Sequence, residues 1–164
     1  MKTIFLCGFM GSGKSTVAKE LSRAYKLSFI DLDEYIVERE KMSIPDIFSQ
    51  KGEGYFRKIE AISLKETADK YAVIATGGGT ILNYDSARTA SEIGTVFFID
   101  ADFEVCYSRI KNDKNRPLVV NNTEEELKKI FDIRRTIYIK NSDITIDGSS
   151  TPQKIAEEIM NTAK

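Results

Sequence analysis

One segment near the start of the chain constrains the fold more than any other. Residues 8–15 read Gly-Phe-Met-Gly-Ser-Gly-Lys-Ser, which matches the pattern G-x-x-x-x-G-K-[ST] at every fixed position. The segment follows an apolar stretch at residues 3–7 and precedes residues 17–25, whose apolar side chains recur at helical spacing. A strand, a glycine-rich turn and a helix N-terminus in this order present backbone N–H groups to a phosphate. The alternative is a glycine-rich turn that binds no ligand.

This phosphate loop, residues 8–15, predicts binding of ATP or GTP. Lys14 would bring a cation to the β- and γ-phosphates, and the Ser15 hydroxyl would be a ligand for Mg²⁺. The loop does not identify a second substrate, because the same loop serves many reactions.

Strand and helix patterns alternate along the rest of the chain. The patterns predict strands at residues 3–7, 28–31, 71–76, 95–100 and 143–147. They predict helices at 17–25, 34–42, from Ser43 onward, 55–71, 84–93, 102–111, 123–140 and from Thr151 onward. Apolar strands without strict alternation indicate a sheet covered on both faces. We therefore expect one α/β domain spanning residues 1–164, with a mostly parallel central sheet between two helix layers. Residues 111–123 are polar and aperiodic, so we expect a mobile lid loop there.

Composition excludes several kinds of chemistry. The chain has no histidine, so a histidine base, a Ser-His triad and a histidine metal ligand are all excluded. Oxygen ligands remain, and they favour Mg²⁺ over zinc. The 24 basic and 25 acidic residues give a formal charge of -1, which provides no argument for a nucleic-acid or membrane partner.

The same sequence gives expectations about the state of the protein. It has no apolar run long enough to span a membrane and no signal-peptide cleavage region, so we expect a cytoplasmic protein. Cys7 and Cys106 are far apart and lie in apolar surroundings, which predicts two reduced, buried thiols. A neutral surface without apolar excess favours a monomer.

Two carboxylates follow the second predicted strand, at Asp31 and Asp33. Side chains two residues apart at a strand end point the same way. Asp31 is nearer the strand, so we assign it to a Mg²⁺-bound water, and we assign Asp33 to a substrate hydroxyl. Asp33 would either take the proton of that hydroxyl or only position it. Alternatively, Asp33 only caps the following helix.

Two arginines are candidates for binding an anionic acceptor. Arg134 lies on or beside the apolar stripe of its helix, and a guanidinium there should have a partner such as a carboxylate. Alternatively, its stem covers the core while its head reaches water. Arg57 is the second candidate, and its alternative is an exposed helix pair with Glu53 or Glu60.

Three further features lie where ligands of a parallel sheet are expected. Residues 77–79 are three consecutive glycines after a buried strand, so they allow close approach of a ligand, and Gly78 and Gly79 are candidate substrate contacts. Arg116 could close over the transferring phosphate from the lid, with Lys14 and Asp33 as the other candidate catalytic residues. Arg109 could stack on the nucleotide base. The alternative for residues 77–79 is a plain flexible turn, and the alternative for Arg116 is a solvated arginine in a loop.

The ordered set of these motifs resembles the shikimate kinase family over nearly the whole chain. It comprises GFMGSGKST, DLD after SFI, GEGYFRKIE, TGGGT after a strand, and RP in the lid. The resemblance implies a nucleoside-monophosphate-kinase-like fold and phosphate transfer from MgATP to the 3-hydroxyl of shikimate, within aromatic amino-acid biosynthesis. By position it implies an ATP loop from Gly11 to Thr16, that is Gly11, Ser12, Gly13, Lys14, Ser15 and Thr16. It also implies magnesium-associated Ser15 and Asp31, a lid arginine at Arg116, and shikimate contacts from Asp33, Arg57, Gly78 and Arg134.

The chain departs from the family pattern at two places. Where the family often reads R-x-P-L-Y, residues 134–138 read Arg-Arg-Thr-Ile-Tyr, so Arg134 and Arg135 are both candidates, and the spacing to Tyr138 favours Arg134. Residues 147–151 lack the arginine that some relatives carry near the adenine.

Two other functions stay open from the residues alone. A gluconate kinase or another small-metabolite kinase would keep the phosphate loop and change the acceptor pocket. A nucleotide-binding switch would need no small acceptor, and the chain has no base-specifying NKxD motif of the GTPase kind.

Overall fold

Strands and helices alternate through the computed structural model, which describes residues 1–163. The strands are β1 (Thr3–Cys7), β2 (Phe29–Asp31), β3 (Val73–Ala75), β4 (Gly94–Asp100) and β5 (Ile144–Asp147). The helices are α1 (Lys14–Tyr25), α2 (Leu32–Glu40), α3 (Ile44–Lys51), α4 (Glu53–Ala68), α5 (Tyr84–Ile93), α6 (Phe103–Ile110), α7 (Pro117–Val120), α8 (Glu124–Asn141) and α9 (Pro152–Thr162). The predicted alternation is confirmed.

The five strands form one parallel sheet in the order β2-β3-β1-β4-β5. β1 is central, with Leu6 opposite Ala75 of β3 and Phe97 of β4. The predicted sheet is therefore confirmed, and all of its pairings are parallel. Because the carboxyl ends of parallel strands lie at one edge, the turns after β1, β2 and β3 are neighbours.

Side chains from β1 alternate between two apolar layers. Ile4 and Leu6 pack in one layer with residues of α1 and α9, including Leu21 and Ile159. Phe5 and Cys7 pack in the other layer with residues 32, 36, 64, 131 and 138, among others. Helices thus cover both faces of the sheet, as the apolar strands predicted.

Local interactions define where helices α8 and α7 begin. The Thr123 hydroxyl accepts a hydrogen bond from the Glu126 amide at 3.2 Å, while Glu126 Oε2 accepts one from the Thr123 amide at 3.0 Å. The predicted capping box is therefore confirmed. The segment 111–123, predicted as a mobile lid loop, contains the short helix α7, which begins at Pro117. Proline suits a first helical position because its missing N–H has no partner there.

The remaining predictions about the chain as a whole concern the thiols and membrane spans. Cys7 and Cys106 are both free and fully buried, as predicted. Between residues 1 and 163, every helix is too short or too polar to traverse a lipid bilayer.

Candidate active site

The phosphate loop joins β1 to α1 and is built mainly by its backbone. Gly11 and Gly13 have positive φ angles of 78° and 98°, which glycine adopts without steric cost. A Cβ atom on Gly11 would lie 2.8 Å from the carbonyl oxygen of Cys106. Gly13 precedes α1 without a side-chain cap, so the first amides of this helix are left to bind an anion.

Two polar side chains of the loop also face this region. Lys14 Nζ donates hydrogen bonds to the carbonyl oxygens of Gly8 at 2.7 Å and Phe9 at 3.1 Å. Desolvation lowers the pKa of Lys14, while the Asp33 and Asp31 carboxylates partly offset that shift. Ser12 Oγ is buried without a hydrogen-bond partner among the described residues.

Asp31 joins the end of β2 to both α1 and α2. Its Oδ2 accepts a hydrogen bond from Ser15 Oγ at 2.9 Å, and its Oδ1 accepts from the amides of Asp33 at 3.0 Å and Glu34 at 3.3 Å. Asp31 is therefore the helix cap, and the alternative that Asp33 serves only as this cap is wrong. The side chain of Asp33 is left available for a ligand.

Ser15 and Asp31 together offer two oxygen ligands. This small number suits Mg²⁺ better than a metal whose ligands all come from the protein. Within residues 1–163, no cluster of three or more Asp, Glu, Cys or His side chains could hold a metal. Mg²⁺ commonly uses one or two protein oxygens and completes its shell with water and substrate phosphates. Hydroxyl and carboxylate oxygens are ligands of the required hard type.

Asp33 packs against the glycine run after β3. A Cβ atom on Gly77 would lie 2.7 Å from Asp33 Oδ1. Burial, followed by the nearby carboxylates of Asp31 and Glu60, raises the pKa of Asp33 to about 6, while Lys14 and Arg116 act in the opposite direction. The carboxyl group therefore changes charge close to neutral pH.

The glycine loop, residues 77–79, also contacts both candidate acceptor arginines. A Cβ atom on Gly79 would lie 2.7 Å from Nη1 and Nη2 of Arg57. A Cβ atom on Gly78 would lie 3.6 Å from Nη1 of Arg134. Asp33, Arg134 and Arg57 thus contact three successive glycines, so the structure brings the three predicted side chains together.

Arg57 is fixed from its own helix. Its Nη1 donates to Glu60 Oε1 at 2.9 Å, and its Nε lies 3.8 Å from Glu53 Oε1. The helix pairing considered as the alternative is therefore present, together with the contact to Gly79. Glu60 is only 2% exposed, and its second oxygen, Oε2, accepts a hydrogen bond from Thr80 Oγ1 at 2.9 Å.

The structure separates Arg134 from Arg135. Arg135 donates two hydrogen bonds to Asp100, at 2.9 and 2.7 Å. Arg134 forms no ion pair with another described residue and lies by Gly78. The Tyr138 hydroxyl donates to the Gly78 carbonyl oxygen, which ties the glycine loop to α8. The choice of Arg134 from its spacing to Tyr138 thus agrees with its position.

A cavity of about 480 Å³ lies between the phosphate loop, the two aspartates and the first part of the glycine loop. Arg109 and Arg116 both line it, and Arg109 Nη1 donates to the Gly11 carbonyl oxygen at 2.8 Å. Arg116 Nε donates to Asp113 Oδ2 at 2.9 Å within the lid. The other lining residues include Gly11, Ser12, Gly13, Lys14, Ser15, Thr16, Asp31, Asp33, Gly77 and Gly78. Gly79, Arg57 and Arg134 do not line this cavity, although both arginines contact the glycine loop.

Sequence reasoning missed several residues of the site. Gly148, Ser150, Pro152 and Ile155 line the cavity, whereas the sequence had suggested only Arg109 as a contact for the nucleotide base. Their signal was the Thr151–Pro152 helix start directly after a predicted strand. The hydrogen bond between Glu60 and Thr80 had no local signal in the sequence, because the two residues are 20 positions apart.

A parallel sheet with a phosphate loop after its central strand, facing an acid and two arginines, defines a P-loop phosphotransferase that acts on a small acceptor. The family model described as "Shikimate kinase" matches residues 10–164. The chain belongs to the shikimate kinase family, and it is an ATP-dependent kinase.

The comparisons with individual proteins agree with this assignment. Shikimate kinase of Aquifex aeolicus is 45% identical over 158 residues, which cover 96% of this chain and 93% of that protein. A solved structure of shikimate kinase from Acinetobacter baumannii, in complex with shikimate, is 33% identical with a TM-score of 0.90, covering 99% of this chain and 92% of that one. Deoxyadenosine kinase from M. mycoides with bound dATP has a TM-score of 0.64 at 19% identity, covering 99% and 98%, which shows a shared fold alone.

Proposed function

We propose that this chain transfers the γ-phosphate of MgATP to the 3-hydroxyl of shikimate, giving shikimate 3-phosphate and ADP in the route to chorismate and the aromatic amino acids. The observation that carries the proposal is the convergence of Asp33, Arg134 and Arg57 on the glycine loop beside the phosphate loop. The Acinetobacter baumannii relative, which was solved in complex with shikimate, supports the choice of acceptor.

The nucleotide half of the reaction uses the phosphate loop. Backbone amides from Gly11 to Thr16 bind the phosphates at the start of α1. Lys14 exchanges its two carbonyl partners for β- and γ-phosphate oxygens, where its charge offsets the charge of the transferring group. Arg109 stacks on the base at the far end of the cavity.

Ser15 and Asp31 would hold the magnesium ion, with Asp31 acting through a bound water. When bound, Mg²⁺ neutralises charge on the β- and γ-phosphate oxygens. The Ser15–Asp31 hydrogen bond keeps both oxygens together at the N-terminus of α1.

The acceptor half uses side chains. Arg57 and Arg134 bind the shikimate carboxylate, since guanidinium groups suit that planar anion, and the amides of Gly78 and Gly79 allow close approach of the ring. Asp33 accepts a hydrogen bond from the 3-hydroxyl, and this bond directs the hydroxyl oxygen towards the γ-phosphorus. Asp33 therefore orients the nucleophile before any proton is lost.

Transfer then forms one bond and breaks one. The 3-oxygen bonds to the γ-phosphorus while the bond from that phosphorus to the β–γ bridging oxygen breaks, and ADP leaves with the electron pair. The hydroxyl proton passes to Asp33, whose raised pKa of about 6 suits a proton acceptor near neutral pH. Arg116 closes from the lid over the transferring group.

A phosphorylation assay tests the proposal against its main rival. Shikimate, gluconate and nucleoside monophosphates are each supplied with MgATP, and both ADP release and the phosphorylated product are measured. Of these acceptors, we expect only shikimate to be phosphorylated. Turnover with gluconate and none with shikimate would replace the proposal with another small-metabolite kinase.

A thermal shift measurement tests the switch alternative. Shikimate without nucleotide should raise the melting temperature, because a ligand that binds only the folded state stabilises it. An unchanged melting temperature, together with stabilisation by nucleotide, would favour a switch. The monomeric state and the cytoplasmic location stay predictions from the sequence.

A further inference from the structure

We propose that Thr80 is a positioning residue for the acceptor, acting through Glu60 on Arg57. This inference rests on the proposed function, because it concerns how Arg57 is aimed at the acceptor carboxylate. Thr80 directly follows the glycine loop and is fully buried. The hydrogen bond that its hydroxyl donates is to Glu60, and not to the phosphate loop or the lid, so its effect should be confined to the acceptor half.

The contacts form a chain of three side chains. Thr80 Oγ1 donates to Glu60 Oε2 at 2.9 Å, and Arg57 Nη1 donates to Glu60 Oε1 at 2.9 Å. The two carboxylate oxygens of Glu60 therefore have different partners, Arg57 at Oε1 and Thr80 at Oε2. Since Glu60 is 2% exposed, water does not replace a partner that is lost, and an unpaired oxygen there is costly.

The chain also ties Arg57 to the loop that it touches. The Thr80 amide donates to the Gly77 carbonyl oxygen at 3.2 Å, closing the turn over the glycines, and Gly79 lies against the Arg57 guanidinium. The same residue thus fixes the glycine backbone through its amide and Arg57 through its hydroxyl. Without the hydroxyl, Glu60 can rotate, and the guanidinium loses its fixed direction.

Thr80→Val and Thr80→Ser separate this role from packing. Valine keeps the shape of threonine but lacks the hydroxyl, and serine keeps the hydroxyl but lacks the methyl group. We expect Thr80→Val to raise KM for shikimate about three- to tenfold, with kcat and KM for ATP within about twofold of wild type. Thr80→Ser should restore most of the shikimate affinity.

Thr67→Val is a matched control on α4, the helix that carries Arg57 and Glu60. Thr67 is also fully buried, but its Oγ1 donates only to the carbonyl oxygens of Ser63 and Leu64 within α4. Its loss should lower the melting temperature without changing KM for shikimate. If Thr67→Val and Thr80→Val raised that KM equally, the effect would be general loosening of α4, and the positioning role would be overturned.

A second readout needs no acceptor, so it stays informative whatever the substrate is. The NMR signal of the Arg57 side-chain Nε–Hε group reports its motion, and we expect greater motion in Thr80→Val than in wild type, Thr80→Ser or Thr67→Val. Unchanged Arg57 motion in a folded Thr80→Val protein would overturn the positioning role. Absence of shikimate turnover in the wild type would instead overturn the proposed function alone.

Discussion

The two halves of the site are built in different ways. The phosphate half consists of consecutive residues between β1 and α1, and its binding groups are mainly backbone amides. The acceptor half consists of side chains from α2, α4 and α8, which meet only on the glycine loop after β3. The first half is a local structure, whereas the second exists only when the whole sheet and its helices are assembled.

This difference teaches where function is vulnerable to substitution. Backbone donors persist when side chains change, so the phosphate half depends on its glycines and on Lys14. The acceptor half depends on the identity of each side chain and on what aims it. We therefore expect substitutions in the two halves to affect different kinetic constants.

Lys14→Met should have the largest effect. Its cation serves the transferring phosphate, so kcat/KM should fall about 10³-fold or more while the fold is retained. Steady-state kinetics and circular dichroism measure the two quantities. Lys19→Met, at an exposed position of α1, is the control and should behave like wild type. Near-normal activity of Lys14→Met would contradict its role.

Arg134→Ala should act on the acceptor half alone. Loss of a guanidinium–carboxylate contact of about 2–3 kcal/mol raises Kd for shikimate about 30- to 150-fold. ATP binding should change little, and calorimetry measures both. Arg135→Ala is the matched control, because it removes a half-exposed pair with Asp100 that contributes little. Equal losses for shikimate and ATP would count against the assignment.

The pH dependence should report Asp33. Because its ionised form accepts the hydroxyl hydrogen and its pKa is about 6, kcat/KM for shikimate should fall about tenfold for each pH unit well below that value. Glu60→Gln should move the inflection to lower pH, since the Glu60 carboxylate is one of the groups that raise this pKa. A flat profile between about pH 5 and pH 8 would exclude a role for the carboxylate charge.

The smallest effect that we expect is the change in thermal stability caused by Asp33→Asn. A carboxyl group whose pKa is about 6 when folded and lower when unfolded binds its proton more tightly in the folded state, so wild-type stability falls as the pH rises through this range. Asparagine carries no such charge. The variant should therefore melt a few degrees higher at about pH 8 and equally near pH 4.

Asp69→Asn, at the exposed end of α4, is the control for a simple change of net charge. The same stabilisation in both variants would show that the effect does not come from the surroundings of Asp33. Activity should be lost only in Asp33→Asn.

The contrast between the halves also explains what the sequence could predict. The phosphate loop was predictable because its residues are contiguous and its strand–turn–helix context is local. Asp31 and Asp33 both line the cavity, as two carboxylates at a strand end should, but which of them caps α2 depends on the backbone geometry at the end of β2. The choice between adjacent Arg134 and Arg135 depends on Asp100, which is 35 residues from Arg135.

Other parts of the site required the fold. Glu60 is an unremarkable helix residue in the sequence, and its burial against Thr80 arises only when α4 packs beside the glycine loop. Helix α7 has only four residues, which is too short for periodicity to be recognised. Pro117 was its only local signal.

The two buried cysteines have a practical consequence. Burial raises the pKa of Cys7 to about 12 and that of Cys106 to about 11, so the reactive thiolate is scarce at neutral pH. Cys7 ends the central strand, and the Cys106 backbone lies against Gly11. Alkylating reagents therefore reach these sulfurs only when the structure around the phosphate loop opens. The rate of cysteine labelling then measures how often that opening occurs.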